Sequence, residues 1–337
     1  MTLGWSSRFD HVVALTDDRG MFEHADGLVP RRVHGYCVDD NARLLVVMSR
    51  EPADAITERL SRTALTMCLS ALSHDGRSRN RMDEHGTWTD RADTEDCWGR
   101  NLWALGVASE QHPDALVRAA AGAGFDLASR QRSRHPRAMA FAALGAAAVY
   151  RRDPSHDPAR QLLSSYAAHF SSAGTAEWPW PEARLTYANA ALAEATIVAG
   201  VALQRSDVLE RGLGMLSWLL ALETIDDHLS VTGTAGRGPL DHTPQFDQQP
   251  IEVAAMADAC WTAASITGDR KWERGIALAT GWFDGVNDTG AVMFDSNSGG
   301  GYDGLQRVGV NNNEGAESTL AFISTRQRAH QLARVTA

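Results

Sequence analysis

Two aspartates stand side by side in the stretch Tyr36-Cys37-Val38-Asp39-Asp40-Asn41-Ala42-Arg43, directly ahead of the apolar run Leu44–Met48. Adjacent carboxylates with no basic neighbour before Arg43 repel each other. One role that accommodates them is a helix start, with Asp40 or Asn41 as the cap and the acids at the positive end of the dipole. The other is chemistry. Glycoside hydrolysis needs two carboxyl groups, one protonating the leaving oxygen and one activating water or attacking directly. Glu252 is a matching partner, following Gln249-Pro250-Ile251 in the first turn of an expected helix. Asp96, ahead of Cys97–Ala108, is a third candidate. Both also suit a capping role, and the dipole argument cannot say which group is the acid.

Competing chemistries are weakly supported. No Gly-x-Ser-x-Gly elbow or Walker loop occurs, and Gly299–Gly301 lacks the strand–loop–helix context of a phosphate cradle. The loop histidines His34, His85 and His242 suit solvated positions better than a site. Cys37, Cys68, Cys97 and Cys260 are scattered, with neither metal-ligand spacing nor a disulfide framework. No metal and no cofactor is expected.

These residues need helices to hold them. Apolar spacing predicts a short helix over Phe9–Leu15 and longer ones over Asn41–Arg50, Ala53–Leu72, Asp96 onward, Ala115–Ser129, Pro136–Tyr150 and Asp157–Ser171. It continues with Arg184–Leu203, Val208–Leu222, Pro250–Thr267, Lys271–Phe283 and Glu314–Ala333. Strand signal is slight. Long polar loops precede the helices starting near 40, 96, 136, 184, 250 and 313, a mean spacing of about 55 residues, or one helical hairpin. The expectation is an all-α (α/α)6 barrel, a toroid of six hairpins with long loops at one mouth, filling a single domain over 1–337. The more apolar helices, Pro136–Tyr150 and Arg184–Leu203, should be inner ones.

Such a barrel gathers the loops at one end, and with them Asp39, Asp40, Asp96, Trp178, Trp180, Gln249, Glu252, Asn312 and Glu314. Carboxylates and aromatics at one mouth suit a carbohydrate, because indole faces stack on sugar C–H surfaces while acids, amides and arginines bond the hydroxyls. Of the ten tryptophans, Trp103, Trp218, Trp261, Trp272 and Trp282 are expected in packing. Trp88, Trp98, Trp178 and Trp180, in or beside loops, are candidate sugar platforms, with Tyr36 and Tyr302 as further aromatic contacts.

The 337 residues carry a net charge of −10 and a pI near 5.6, with no basic cluster interleaved with aromatics, which argues against nucleic acid as partner. No apolar run approaches the ~20 residues of a membrane span, and no leader pattern opens the chain. A cytoplasmic protein with reduced thiols is the expectation, with an oligomer left open.

Four longer motifs, Gly35–Arg43, Glu95-Asp96-Cys97-Trp98-Gly99-Arg100, Trp178-Pro179-Trp180-Pro181 and Asn313–Leu320, resemble a bacterial family of (α/α)6-barrel proteins found near, or fused to, glycosyltransferases. The family includes mycobacterial methylmannose polysaccharide hydrolases, which are α-endomannosidases. The resemblance runs from about Phe9 to Thr325. It implies endo-cleavage of α-1,4 bonds in 3-O-methylmannose polysaccharide, with a catalytic pair at Asp40 and Glu252 and Asp39 as the rival of Asp40. It further implies that Arg43, Asp96, Arg100, Tyr187, Asn189 and Glu314 line subsites. By analogy with the fold, inversion is expected. A sugar phosphorylase or epimerase on the same barrel, or a non-catalytic glycan-binding accessory protein, are the alternatives.

Overall fold

The computed structural model describes residues 9–169, 174–241 and 243–336. Twelve α-helices are found among them: α1 (Asp10–Ala14), α2 (Val38–Ser49), α3 (Ala55–Ala71), α4 (Asp96–Gln111), α5 (Ala115–Ala128) and α6 (Pro136–Arg152), followed by α7 (Asp157–His169), α8 (Asn189–Ala202), α9 (Ser206–Leu222), α10 (Pro250–Thr267), α11 (Arg270–Phe283) and α12 (Ala316–Thr336). Strands are two-residue pairs confined to the loops.

The even-numbered helices form a closed inner ring. In order, α2, α4, α6, α8, α10 and α12 each pack on the next, and α12 returns to α2. The outer layer is α3, α5, α7, α9 and α11, each packed on an inner neighbour, while the short α1 packs on α12 in the sixth outer place. This is the (α/α)6 barrel. The inner helices bury nearly every face: α6 and α8 have almost no exposed residue over their lengths. Small residues make that possible. Gly106 of α4 and Gly145 of α6 approach so closely that a Cβ on Gly106 would meet the Gly145 carbonyl at 2.3 Å.

Most helix boundaries fall within a few residues of the sequence expectation. Two differ in a way that matters. Helix α2 begins at Val38, so Asp39 and Asp40 lie inside its first turn and neither caps it. Helix α8 begins at Asn189, five residues later than expected, after Ala188 takes a left-handed conformation with φ of 45°. Residues 184–188 instead join a loop pairing in which Leu185 bridges Arg237. Among the described residues, no helix is long and apolar enough to cross a membrane.

Candidate functional site

All six inner helices start at the same end of the ring, so their first turns form one mouth. An α-helix leaves its first N–H groups without intrahelical partners. At three of these starts the donors are met by a side chain from elsewhere in the chain. Asn80, in the long loop before α4, accepts from the backbone N–H groups of Val38 (3.0 Å) and Asp39 (3.3 Å). Asp303, in the glycine-rich loop, accepts from Gly315 N–H and the Ser318 hydroxyl at the start of α12. Glu252, from α10, accepts from the N–H groups of Ala188 and Asn189 and from the Asn189 amide at the start of α8. Capping from outside leaves the first-turn acids of α2 free for other partners.

Those partners separate the two neighbouring aspartates. Asp40 is 2% exposed and has both oxygens engaged: Oδ2 accepts from the Cys37 thiol at 2.9 Å, and Oδ1 pairs with Arg43 Nη1 at 2.6 Å. Burial pushes its carboxyl up to about 7 against the pull of Arg43. Arg43 also pairs with Glu317 of α12, tying the two helices. Asp39 keeps 22% of its side chain exposed. Its Oδ2 accepts from the Asn80 amide at 3.0 Å. Its Oδ1 lies 3.6 Å from Arg100 Nε and takes no hydrogen bond. Arg100 Nη1 and Arg43 Nε are likewise buried without a partner. Unmet donors and an unmet acceptor so close together are rare in a folded interior. Both arginines line a small axial cavity of about 40 Å³ under the mouth.

The opposite wall is built around Glu252. In the ring order α2 stands across from α8, and α10 is two places from α2. The Glu252 carboxyl nevertheless reaches the wall facing α2, because it is fixed to the start of α8. It is 4% exposed. Burial first, and the buried Glu223 second, raise it to about 7, while the N–H donors pull the other way. Arg137 of α6 continues this wall, donating to the Tyr187 carbonyl, to Glu182 (2.7 Å) and to Asn189 (3.1 Å), with its guanidinium 4.7 Å from the Tyr187 ring centre. The exposed Tyr187 reaches across to donate its hydroxyl to Asp96 at 2.5 Å. A cavity lies between Tyr187, the Thr232–Gly236 loop, Gln249 and Glu252.

Several sequence candidates are placed away from this mouth's open surface. Trp98 is fully buried and donates its indole N–H to the Ala128 carbonyl at 3.2 Å, so it offers no face to a sugar. Trp98→Ala is therefore expected to lower stability by about 3–5 kcal/mol, read by denaturant unfolding, with KM unchanged in the folded fraction. Trp180 is 1% exposed and stacks on Trp218, which Trp178 meets edge to face, so the Trp-Pro-Trp-Pro motif builds a clasp on α9. Tyr36 is buried, stacked on Phe22, with its hydroxyl on Asp17 at 2.7 Å. Asn189 is buried and spends its side chain on Glu252, Arg137 and Thr186. Glu314 is buried, accepts from the Ser298 hydroxyl at 2.7 Å and stands over Gly300, where a Cβ would fall 1.8 Å from its Oε2. That contact accounts for Gly300, while Gly299 takes a positive φ of 78° and a Cβ on Gly301 would meet the Ser318 carbonyl at 2.4 Å. Trp88 is half-buried against the Phe22–Tyr36 cluster, Tyr302 packs against the α10–α11 core and Asn312 is exposed.

Two positioning residues escaped the sequence reading: Asn80, half-buried in a long polar loop, and Arg137, which follows Pro136. Both side chains act on elements 40 or more residues away, so no local pattern marks them. The expected packing role holds for Trp272 and Trp282, which are fully buried, and for Trp103, Trp218 and Trp261, which pack partly buried against the core; Trp103 and Trp261 also line open space inside the ring. Among the described residues, Glu23, Cys37 and Asp40 bring possible metal-ligand atoms within 4.8 Å of one another. Glu23 is already paired with Arg81 and Asp40 with Arg43, and burial drives the Cys37 thiol up. None of the inner helices carries a histidine in its first turn. His34 and His85 are exposed, and His242 lies outside the described residues.

No family model matches the sequence, and no curated protein matches it. Solved structures do match over nearly the whole length. A sugar epimerase from a ruminal bacterium shares 13% identity over 97% of this chain and 95% of its own, with a TM-score of 0.73. A GH76 α-mannanase from Bacteroides thetaiotaomicron shares 9% over 98% and 96%, at 0.65. An α-1,6-mannanase of Salegentibacter, an inactive variant with two adjacent aspartates changed to asparagine and in complex with α-1,6-mannotriose, shares 12% over 97% of each chain, at 0.63. At these identities the likeness defines the fold class, the (α/α)6 barrel, and nothing finer.

Proposed function

We propose that this protein is an endo-acting glycoside hydrolase of mannose-based polysaccharides, with Asp39 and Glu252 as its two carboxyl groups. The observation that carries the reading is the cluster of unmet hydrogen-bonding capacity at Asp39 Oδ1, Arg100 Nη1 and Arg43 Nε, facing a carboxyl raised to about 7. A polyhydroxylated chain laid across the mouth would meet the first with its hydroxyls and the second with its glycosidic oxygen. Glu252 is suited to be the acid. Burial keeps its proton on near neutrality, and three N–H donors stand ready for the carboxylate left when the proton departs. Asp39 is suited to be the base: the Asn80 amide orients it and Arg100 lies beside it. Asp40, with both oxygens spent, holds Arg43 in place.

The mannanases on the same fold, and the motifs at Gly35–Arg43 and Asn313–Leu320, support the reading that the substrate is an α-mannan chain, with α-1,4-linked 3-O-methylmannose polysaccharide as the specific proposal. Incubation with methylated and unmethylated mannooligosaccharides, followed by product sizing, is expected to show internal cleavage to shorter chains with release of the inverted anomer. Conversion at constant chain length, with a changed reducing-end sugar, would instead identify an epimerase. Binding without shortening would identify an accessory protein.

A further inference from the structure

The barrel holds a further and larger cavity at its other end, where the inner helices stop. It opens to solvent and has a volume of about 360 Å³ between the C-terminal halves of α4, α6, α8 and α10. The connections at this end are only a few residues long, as in 203–205 and 268–269, so among the described residues no helix-to-helix loop folds over it. It shares Trp103, Leu144, Glu194 and Asp258 with the axial cavity beneath the mouth, so a single layer of side chains divides the two.

The chemistry of its wall selects a ligand class. Its full charges are already paired inside the protein. Arg151 forks onto Glu110 with two contacts of 2.8 Å, and Asp258 sits between Arg50, at 3.1 Å, and Arg328. Each of these charges has a partner inside the protein, with Arg50 and Arg328 sharing Asp258 and lying near Glu194. What remains open is aromatic and polar. Trp103, Tyr150 and Trp261 are only partly covered although their helices belong to the inner ring. The Arg328 guanidinium lies 5.6 Å from the centre of the Trp261 ring and steadies it. Glu194 is about nine-tenths buried and spends one oxygen on the Thr262 hydroxyl at 2.7 Å, while the other takes no hydrogen bond from the protein. Burial, then Asp258, pushes its carboxyl up, so near neutrality it can donate as well as accept. Ring faces beside neutral donors and acceptors suit a ligand with apolar C–H faces and a rim of hydroxyls.

We propose that this far cavity is a second carbohydrate site, taking a short neutral oligosaccharide on Trp103 and Trp261 with its hydroxyls on Glu194 and Thr262. It is separate from the mouth and does not depend on the reaction assigned there.

The test is a calorimetric titration with mannotriose, maltotriose and cellotriose on the full chain with the mouth silenced by Asp39→Asn and Arg100→Ala. One of these sugars is expected to bind with one site per chain. Adding either Trp261→Leu or Ser265→Trp, which plugs the rim from an exposed position, should weaken Kd at least tenfold. In the otherwise unaltered protein the same two changes should leave the rate of chain shortening as it was. Ser265→Trp decides the matter if Trp261→Leu fails to fold. Absence of binding to the silenced chain, or an unchanged Kd in the folded far-cavity variants, overturns the proposal. The binding readout stands whether or not the mouth proves to hydrolyse anything.

Discussion

Asp39→Asn is expected to cut chain shortening by about 10²–10⁴-fold, the range for losing a general base, while the melting temperature moves little. Asp40→Asn is expected to do the reverse at first sight: a large loss of stability, with activity falling because the mouth comes apart. The reason lies in what each carboxyl touches. Asp39 is partly exposed, its Oδ2 contact with Asn80 can be remade by an amide after rotation, and its Oδ1 has no hydrogen bond to lose. Asp40 is buried against Arg43, and replacing it removes the acceptor that holds Arg43 Nη1, leaving the guanidinium to Glu317 and the more distant Asp39. Breaking a buried pair by removing one partner costs about 3–5 kcal/mol. Urea unfolding beside steady-state rates on mannooligosaccharides separates the two cases. Near-normal turnover in Asp39→Asn removes Asp39 from the mechanism. A stable but inactive Asp40→Asn returns the working role to Asp40.

The choice between these neighbours shows where sequence reading stops. The helix pattern was legible because inner helices of this barrel are apolar over most of their faces and each is preceded by a long polar loop. Starts near 96, 136 and 250 are also marked locally by Asp96, Pro136 and Pro250 at the first helical position. The start of α2 carries no such mark, since its cap is Asn80 in a separate loop. From sequence, Asp40 or Asn41 had to be assigned that duty, so nothing local separated Asp39 from Asp40 as the working carboxyl. The aromatic candidates failed for a related reason. Trp98 and Trp180 lie within two or three residues of charged side chains such as Asp96, Arg100, Glu177 and Glu182, but the rings point into core packed by α5 and α9. Conversely Trp103 and Trp261 sit on apolar helices and look like filler, yet the ring of helices leaves space beside them. Periodicity reports which face a residue is on; it does not report whether the interior it faces is filled.

Glu252→Gln is expected to abolish chain shortening at every pH and also to flatten the dependence of stability on pH. The two effects have one cause. In the folded protein burial lifts this carboxyl from an ordinary 4.5 to about 7, so the folded state holds the proton more tightly than the unfolded chain does. A group raised in this way contributes fully below pH 4.5, and its contribution is lost as pH rises through 7, a decline on the order of 3 kcal/mol. Asp40 and Glu223 are raised to about 7 by the same burial and act in the same direction, so the melting temperature should fall from pH 5 to pH 8. Glutamine carries no such proton, and the variant should fall less steeply. It also turns an amide donor toward the N–H groups of Ala188 or Asn189, which costs about 1–3 kcal/mol at all pH values. That offset matters for the interpretation. If Glu252 only plugs the start of α8, the variant will melt lower, with the flattened slope that loss of the buried proton brings, and keep turnover in its folded fraction. If it is the acid, turnover disappears from chains that are still folded. Rates and melting curves from pH 5 to 8 on the same preparations decide between a cap and a proton donor.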